Sequence, residues 1–183
     1  MRFQSALLTL VVVASAAIGS PSFKRDGVTV LADVNGMGTA INDFNTACVA
    51  FPSTGGTLPQ ANNILAKAKA LGTAINKGTT DATASVAYTE SQSAAIVTAT
   101  KNLEGPFATA LGSLEAKKAA LLGLPVGGIR DLIINDLNTL KNATNAFGIA
   151  TLHNTSDDQQ GNGQAVLTLF LNGFISCIAF FSS

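Results

Sequence analysis

Two short segments, Phe51-Pro52-Ser53-Thr54-Gly55-Gly56-Thr57-Leu58 and Leu124-Pro125-Val126-Gly127-Gly128-Ile129, repeat one arrangement: a proline followed by a Gly-Gly pair, set between long stretches of helical apolar spacing. Proline cannot extend a helix and glycine accepts positive φ, so each segment ends one helix and lets the chain reverse into the next. A chain punctuated in this way folds as antiparallel helices.

The spacing between the hinges agrees. Apolar positions run Val30, Val34, Met37, Ile41, Phe44, Cys48 and Phe51 in alternating steps of four and three, one continuous stripe of a first helix. Thr57-Leu58-Pro59-Gln60 reads as a capping box that opens a second helix, with Pro59 harmless in the first turn. Its stripe, Leu58, Ala61, Ile64, Leu65, Ala68, Leu71 and Ile75, closes at Gly78, and the Thr-, Ala- and Ser-rich residues 79–87 read as a linker. A third helix beyond Thr89 carries Ile96, Leu103, Phe107, Ala110, Leu114 and Leu121, with a kink expected at Gly105-Pro106. A fourth follows the second hinge through Ile129, Ile133, Leu137, Leu140, Thr144, Phe147 and Thr151, and residues 153–163 read as a polar loop. The expected fold is all-α: an antiparallel bundle of four to five amphipathic helices with a kinked third, one domain over residues 26–183.

The last segment, Gln164 to Ser183, has no charge and places apolar residues on every side of a helix. It reads as a fifth helix buried centrally among the other four. A second reading is a cleaved lipid-anchor signal with its attachment site near Asn154 to Ser156 and a polar spacer from Asp157 to Gln164. A membrane span is disfavoured by Asn172-Gly173 and by the short apolar length.

At the other end, Arg2, the apolar run Ala6 to Val13 and the small residues Ala14 to Gly19 form a signal peptide over residues 1–19. Lys24-Arg25 closes a candidate propeptide over residues 20–25, which would make Asp26 the mature N-terminus, or is a charged linker. Secretion to the extracellular space or cell wall gives meaning to two N-glycosylation sequons, Asn142-Ala143-Thr144 and Asn154-Thr155-Ser156, of which the second, in the polar loop, is the better placed. It also favours one disulfide between the only cysteines, Cys48 and Cys177, a bridge stabilising by roughly 2–5 kcal/mol. The alternative is two buried thiols.

Catalytic chemistry finds little support. Charged residues make up 12% of the chain, 11 of each sign, which leaves no electrostatic basis for nucleic-acid binding. His153 is the single histidine, there is no Gly-x-Ser-x-Gly elbow, and Glu90, Glu104 and Glu115 are scattered along helical faces. Two distant cysteines and one histidine offer no metal-ligand cluster. No catalytic residue, metal or cofactor is expected.

The stretches FPSTGGTLPQANNIL, ALGTAINKGTTDAT and LPVGGIRDLIINDLNTL, in this order and separation, resemble the hydrophobic surface binding protein A family of fungi, which also takes in cell wall galactomannoproteins. The resemblance covers roughly Val28 to Thr151. It implies a secreted all-helical bundle without enzymatic activity that adsorbs to hydrophobic surfaces and recruits secreted hydrolases there, cutinase-like or lipolytic; some relatives hold fatty acids in a channel between helices. Departing from the family, Gln164 to Phe181 lacks the charged outer face usual in the last helix.

If such a channel exists here, Phe44, Phe107, Leu140, Phe147, Phe170 and Phe174 are its candidate lining, unless they are ordinary core. An empty channel of ~300 Å³ would cost about 7 kcal/mol, comparable to the stability of a whole domain, so it should collapse or fill. A bound acyl chain recovers ~0.8 kcal/mol per buried methylene.

Overall fold

Each of the first three long helices starts where a side chain can take up its orphan amides. In a computed structural model describing residues 26–183, α1 (Gly27–Ala50) is capped by Asp26, whose carboxylate accepts from the Val28 and Thr29 amides at 3.1 and 3.2 Å. The predicted signal peptide and the Lys24-Arg25 site lie outside the described residues. Helix α2 (Leu58–Thr83) opens on the Thr57/Gln60 capping box, and α3 (Glu90–Asn102) on a second box, Thr89/Gln92. Then come α4 (Glu104–Glu115), the single turn and a half of α5 (Lys118–Leu122), α6 (Ile129–Asn154) and α7 (Asp157–Ser182).

The hinges work as their composition demands. Gly55 and Gly128 have φ of 68° and 82°, the left-handed region that a side chain would strain. Gly56 is small for a different reason, since a Cβ there would lie 2.2 Å from the Phe51 ring, which tucks beneath its own hinge and is 1% exposed.

Five rods close a ring. α1 packs on α2, α2 on α6, α6 on α7, α7 on the α3–α4 rod, and that rod returns to α1. Consecutive long helices reverse direction, as expected, but α6 seats itself against α2. The ends of α2 and α6 therefore meet: Asn154 Nδ2 donates to the Ala82 carbonyl at 2.8 Å, while the Asn154 carbonyl accepts from the Tyr88 amide at 2.7 Å. Ring neighbours thus include parallel as well as antiparallel pairs. Inside the ring lies one continuous apolar core.

Several boundaries differ from the sequence expectation. Helix α2 continues past Gly78 to Thr83, because Thr79, Thr80 and Thr83 each donate their hydroxyl to a carbonyl four residues earlier and so satisfy themselves inside the helix. The connection shrinks to residues 84–89. The third rod breaks at Leu103, two residues ahead of Gly105-Pro106, so that Pro106 falls in the first turn of α4, where its missing amide costs nothing. The predicted polar loop over 153–163 is reduced to Thr155 and Ser156. Gln160 reaches back from α7 to the Leu152 and Thr155 carbonyls at 2.6 and 3.0 Å, closing the end of α6, and Asp157 and Asp158 sit in the first turn of α7, where the helix dipole favours them.

Helix α7 is a wall of the ring and not its central post. It is long and apolar enough to cross a membrane by composition, yet it buries one stripe, Val166, Leu167, Phe170, Phe174, Cys177 and Phe181. Leu169, Ile175 and Phe180 remain 43%, 53% and 42% exposed on the other side. Polar anchoring is sparse elsewhere: Lys77 of α2 bridges Asp81 on its own helix at 2.9 Å and Asp33 on α1.

Asn154 joins the ends of α2 and α6 and the connection before α3, and its replacement gives a clean test. Asn154→Ala should lower unfolding free energy by about 1 kcal/mol, since it removes the buried hydrogen bond that ties α6 to the Ala82 carbonyl while that carbonyl keeps the Ser85 amide. Denaturant titration should show this as a lower midpoint at unchanged slope.

Candidate functional site

The bundle interior is not fully packed. Between α3, α6 and α7 lies an apolar cavity of about 50 Å³, walled by Ile96, Val97, Leu152, Val166 and Leu167 among others. A second cavity of about 50 Å³ lies further along the axis, walled by Met37, Ile41, Leu71, Ile75, Leu103 and Phe107. Thr100, Thr144, Phe147 and Phe170 line both, and so form the partition between them. Phe107 packs against Phe170 in a tilted arrangement and edge-on against Phe174, at ring-centroid distances of 4.8 and 4.9 Å. At about 50 Å³ each, and partly open to the surface, the two voids are far smaller than the ~300 Å³ of an acyl-sized channel. The channel that the family resemblance implies is represented in this structure only by these two small cavities.

Of the six candidate lining residues, Phe107, Phe147, Phe170 and Phe174 meet at these cavities, whereas Phe44 and Leu140 are buried core outside both walls. Sequence reasoning missed the threonines. Thr100 donates its hydroxyl to the Ile96 carbonyl at 2.8 Å, and Thr155 to the Thr151 carbonyl at 2.9 Å. Thr151, 7% exposed, also lines the first cavity, and its buried hydroxyl has no hydrogen-bond partner. No charged side chain lines either cavity. A polar residue on an apolar stripe, as Thr144 and Thr151 are, was the available signal.

Beside the first cavity, between α3 and the start of α7, a larger and more polar recess of about 390 Å³ is lined by Thr98, Lys101, Glu104, Gln159 and Asn162. It shares Val97 and Val166 with the inner cavity.

The remaining predicted sites are scattered. Cys48 and Cys177 are both buried free thiols in this structure, so the expected bridge is not formed here. Burial pushes the Cys48 thiol up to about 12, only partly offset by Lys117, and burial beside Glu115 and Cys48 raises Cys177 as well. Both stay protonated at neutral pH. Asn142 is exposed on α6, whereas Asn154 is 8% exposed and its Nδ2, the atom an N-glycan would occupy, is hydrogen-bonded inside the fold. Of the two sequons, only Asn142 presents its side chain at the surface of this fold. His153 is exposed in the last turn of α6, and Glu90, Glu104 and Glu115 stand on separate turns of the α3–α4 rod. Among the described residues no cluster of His, Cys, Asp or Glu could hold a metal.

A ring of helices around uncharged cavities, with aromatic rings as the internal partition, defines an apolar-contact bundle. Comparison with known families narrows this: residues 27–153 match the profile of hydrophobic surface binding protein A, and the chain belongs to that family. The match stops short of α7. Among solved structures, AFMP4P in complex with palmitic acid superposes with a TM-score of 0.79 at 26% identity, covering 85% of this chain and 99% of that one. Ligand binding domain 1 of the Penicillium marneffei MP1 protein, complexed with arachidonic acids, gives 0.77 at 18% identity, covering 86% and 99%. Domain 2 of the same protein, complexed with multiple arachidonic acids, gives 0.77 at 17% identity, covering 88% and 99%. No curated protein sequence matches the chain.

Proposed function

We propose that this chain is a secreted, non-enzymatic binder of fatty-acyl ligands, which it holds inside the ring where the two cavities meet. The observation that carries this reading is the shared wall: two uncharged voids separated by Phe147 and Phe170, in a bundle 26% identical to one complexed with palmitic acid. An acyl chain of palmitate size needs a site of about 300 Å³ or more. Two voids of about 50 Å³ are too small even when joined, so the phenyl rings must turn aside and the helices around them must also part. Each methylene then buried contributes ~0.8 kcal/mol, and the joined cavity loses its empty-space penalty.

Calorimetric titration of delipidated protein with palmitate tests this directly. The expected result is saturable binding at one site, micromolar or tighter, with a rise in melting temperature. Neither heat nor thermal shift at saturating palmitate would sink the proposal.

A second reading rests on the outer face of α7. Leu169, Ile175 and Phe180 are exposed on a helix that carries no charge after Asp158, which suits adsorption to apolar solids. On such a solid, the adsorbed protein would concentrate secreted cutinase-like or lipolytic hydrolases. Depletion from solution by polystyrene beads is the expected outcome, weakened when Ile175 and Phe180 are replaced by serine; co-adsorption of a hydrolase is a separate measurement on the same beads.

A further inference from the structure

We propose that the recess between α3 and the start of α7 is the mouth of the acyl site, and that Lys101 holds the ionised carboxylate of a fatty acid there. This rests on the acyl-binding reading above and specifies the ligand's direction.

Three spaces lie in series. The recess adjoins the first cavity across Val97 and Val166, which are 9% and 6% exposed, and the first cavity adjoins the second across Phe147 and Phe170. Along α7 the lining runs from Gln159 and Asn162 through Val166 and Phe170 to Phe174, a span of about 22 Å at 1.5 Å per residue. That length suits an extended long acyl chain.

Charge fixes the orientation. A carboxylate drawn into either inner cavity would meet only threonine hydroxyls and no cation, and an uncompensated buried charge is costly. At the recess it keeps contact with water and faces Lys101, which is exposed and pairs with no carboxylate among the described residues. Asn162 and Thr98 add polar groups at the same rim. Glu104 is the opposing element, a carboxylate lining the same recess. Its presence predicts that the site holds acids less tightly than it could.

The test compares palmitate with hexadecanol, which has the same chain length and no charge, at neutral pH. Lys101→Glu, with an unchanged melting temperature as control, should weaken palmitate by about five- to tenfold and leave hexadecanol unaffected. Glu104→Gln should tighten palmitate by about two- to threefold. Equal palmitate affinity in wild type and Lys101→Glu overturns the mouth, as does loss of palmitate binding in Thr151→Val alone, which would put the head group inside. A wild type that binds neither compound removes the acyl site itself.

Discussion

A chain ended at Gly163 is expected to lose its cooperative fold. Helix α7 supplies Val166, Leu167, Phe170, Phe174 and Phe181 to the core, and burial of five such side chains contributes about 10 kcal/mol. That is the order of the net stability of a whole domain. Truncation also strips the α6 and α3–α4 faces that α7 covers. Circular dichroism should show reduced helicity and a broad melt with no clear midpoint. A sharp transition in the truncated chain would instead revive the reading of the C-terminal segment as a removable anchor signal.

Phe147→Ala has the next largest expected effect. Without ligand, deletion of this partition ring should cost about 3–5 kcal/mol, lowering the melting temperature by roughly 10 °C. It also removes one of the two rings between the cavities, so a bound acyl chain has only Phe170 to displace before it can enter the second space. Palmitate should therefore raise the melting temperature of the variant by more than it raises that of the wild type. An equal increment in both proteins would mean that the ligand does not pass Phe147. Phe44→Ala, in core outside both walls, is the matched control: similar destabilisation with no gain in ligand response.

How far the fold could be read from the sequence depended on whether each segment shows one face. The stripe from Val30 to Phe51 was legible because its apolar positions are the buried ones. Helix α7 was not, because Leu169, Ile175 and Phe180 carry hydrophobicity round to its outer side and hide which stripe packs. Residues 153–163 read as loop because they are polar. Their polarity instead serves the junction, with Gln160 closing α6 and the two aspartates opening α7. The site was half visible. Aromatic rings on the inner stripes marked Phe107, Phe147, Phe170 and Phe174, but nothing local distinguishes a ring that walls a void from one that fills it, as Phe44 does. That difference arises from how five helices meet, and so does the burial of Asn154, a surface residue by composition and an interior one by position.

The seating of α6 against α2, and of α7 against the α3–α4 rod, has a consequence for the order of assembly. The first hairpin, α1 with α2, can form from neighbours in sequence, but the ring stays open until partners far apart along the chain find each other, a topology that slows folding. Its closing member, α7, is the last of the five rods to be synthesised and carries no charge beyond its first turn. While the C-terminal residues remain within the ribosome, Phe107, Phe147 and the Ile96 stripe face water. Until α7 has emerged the ring cannot close, so the apolar faces that it covers stay exposed to aggregation for longer than those of the first hairpin.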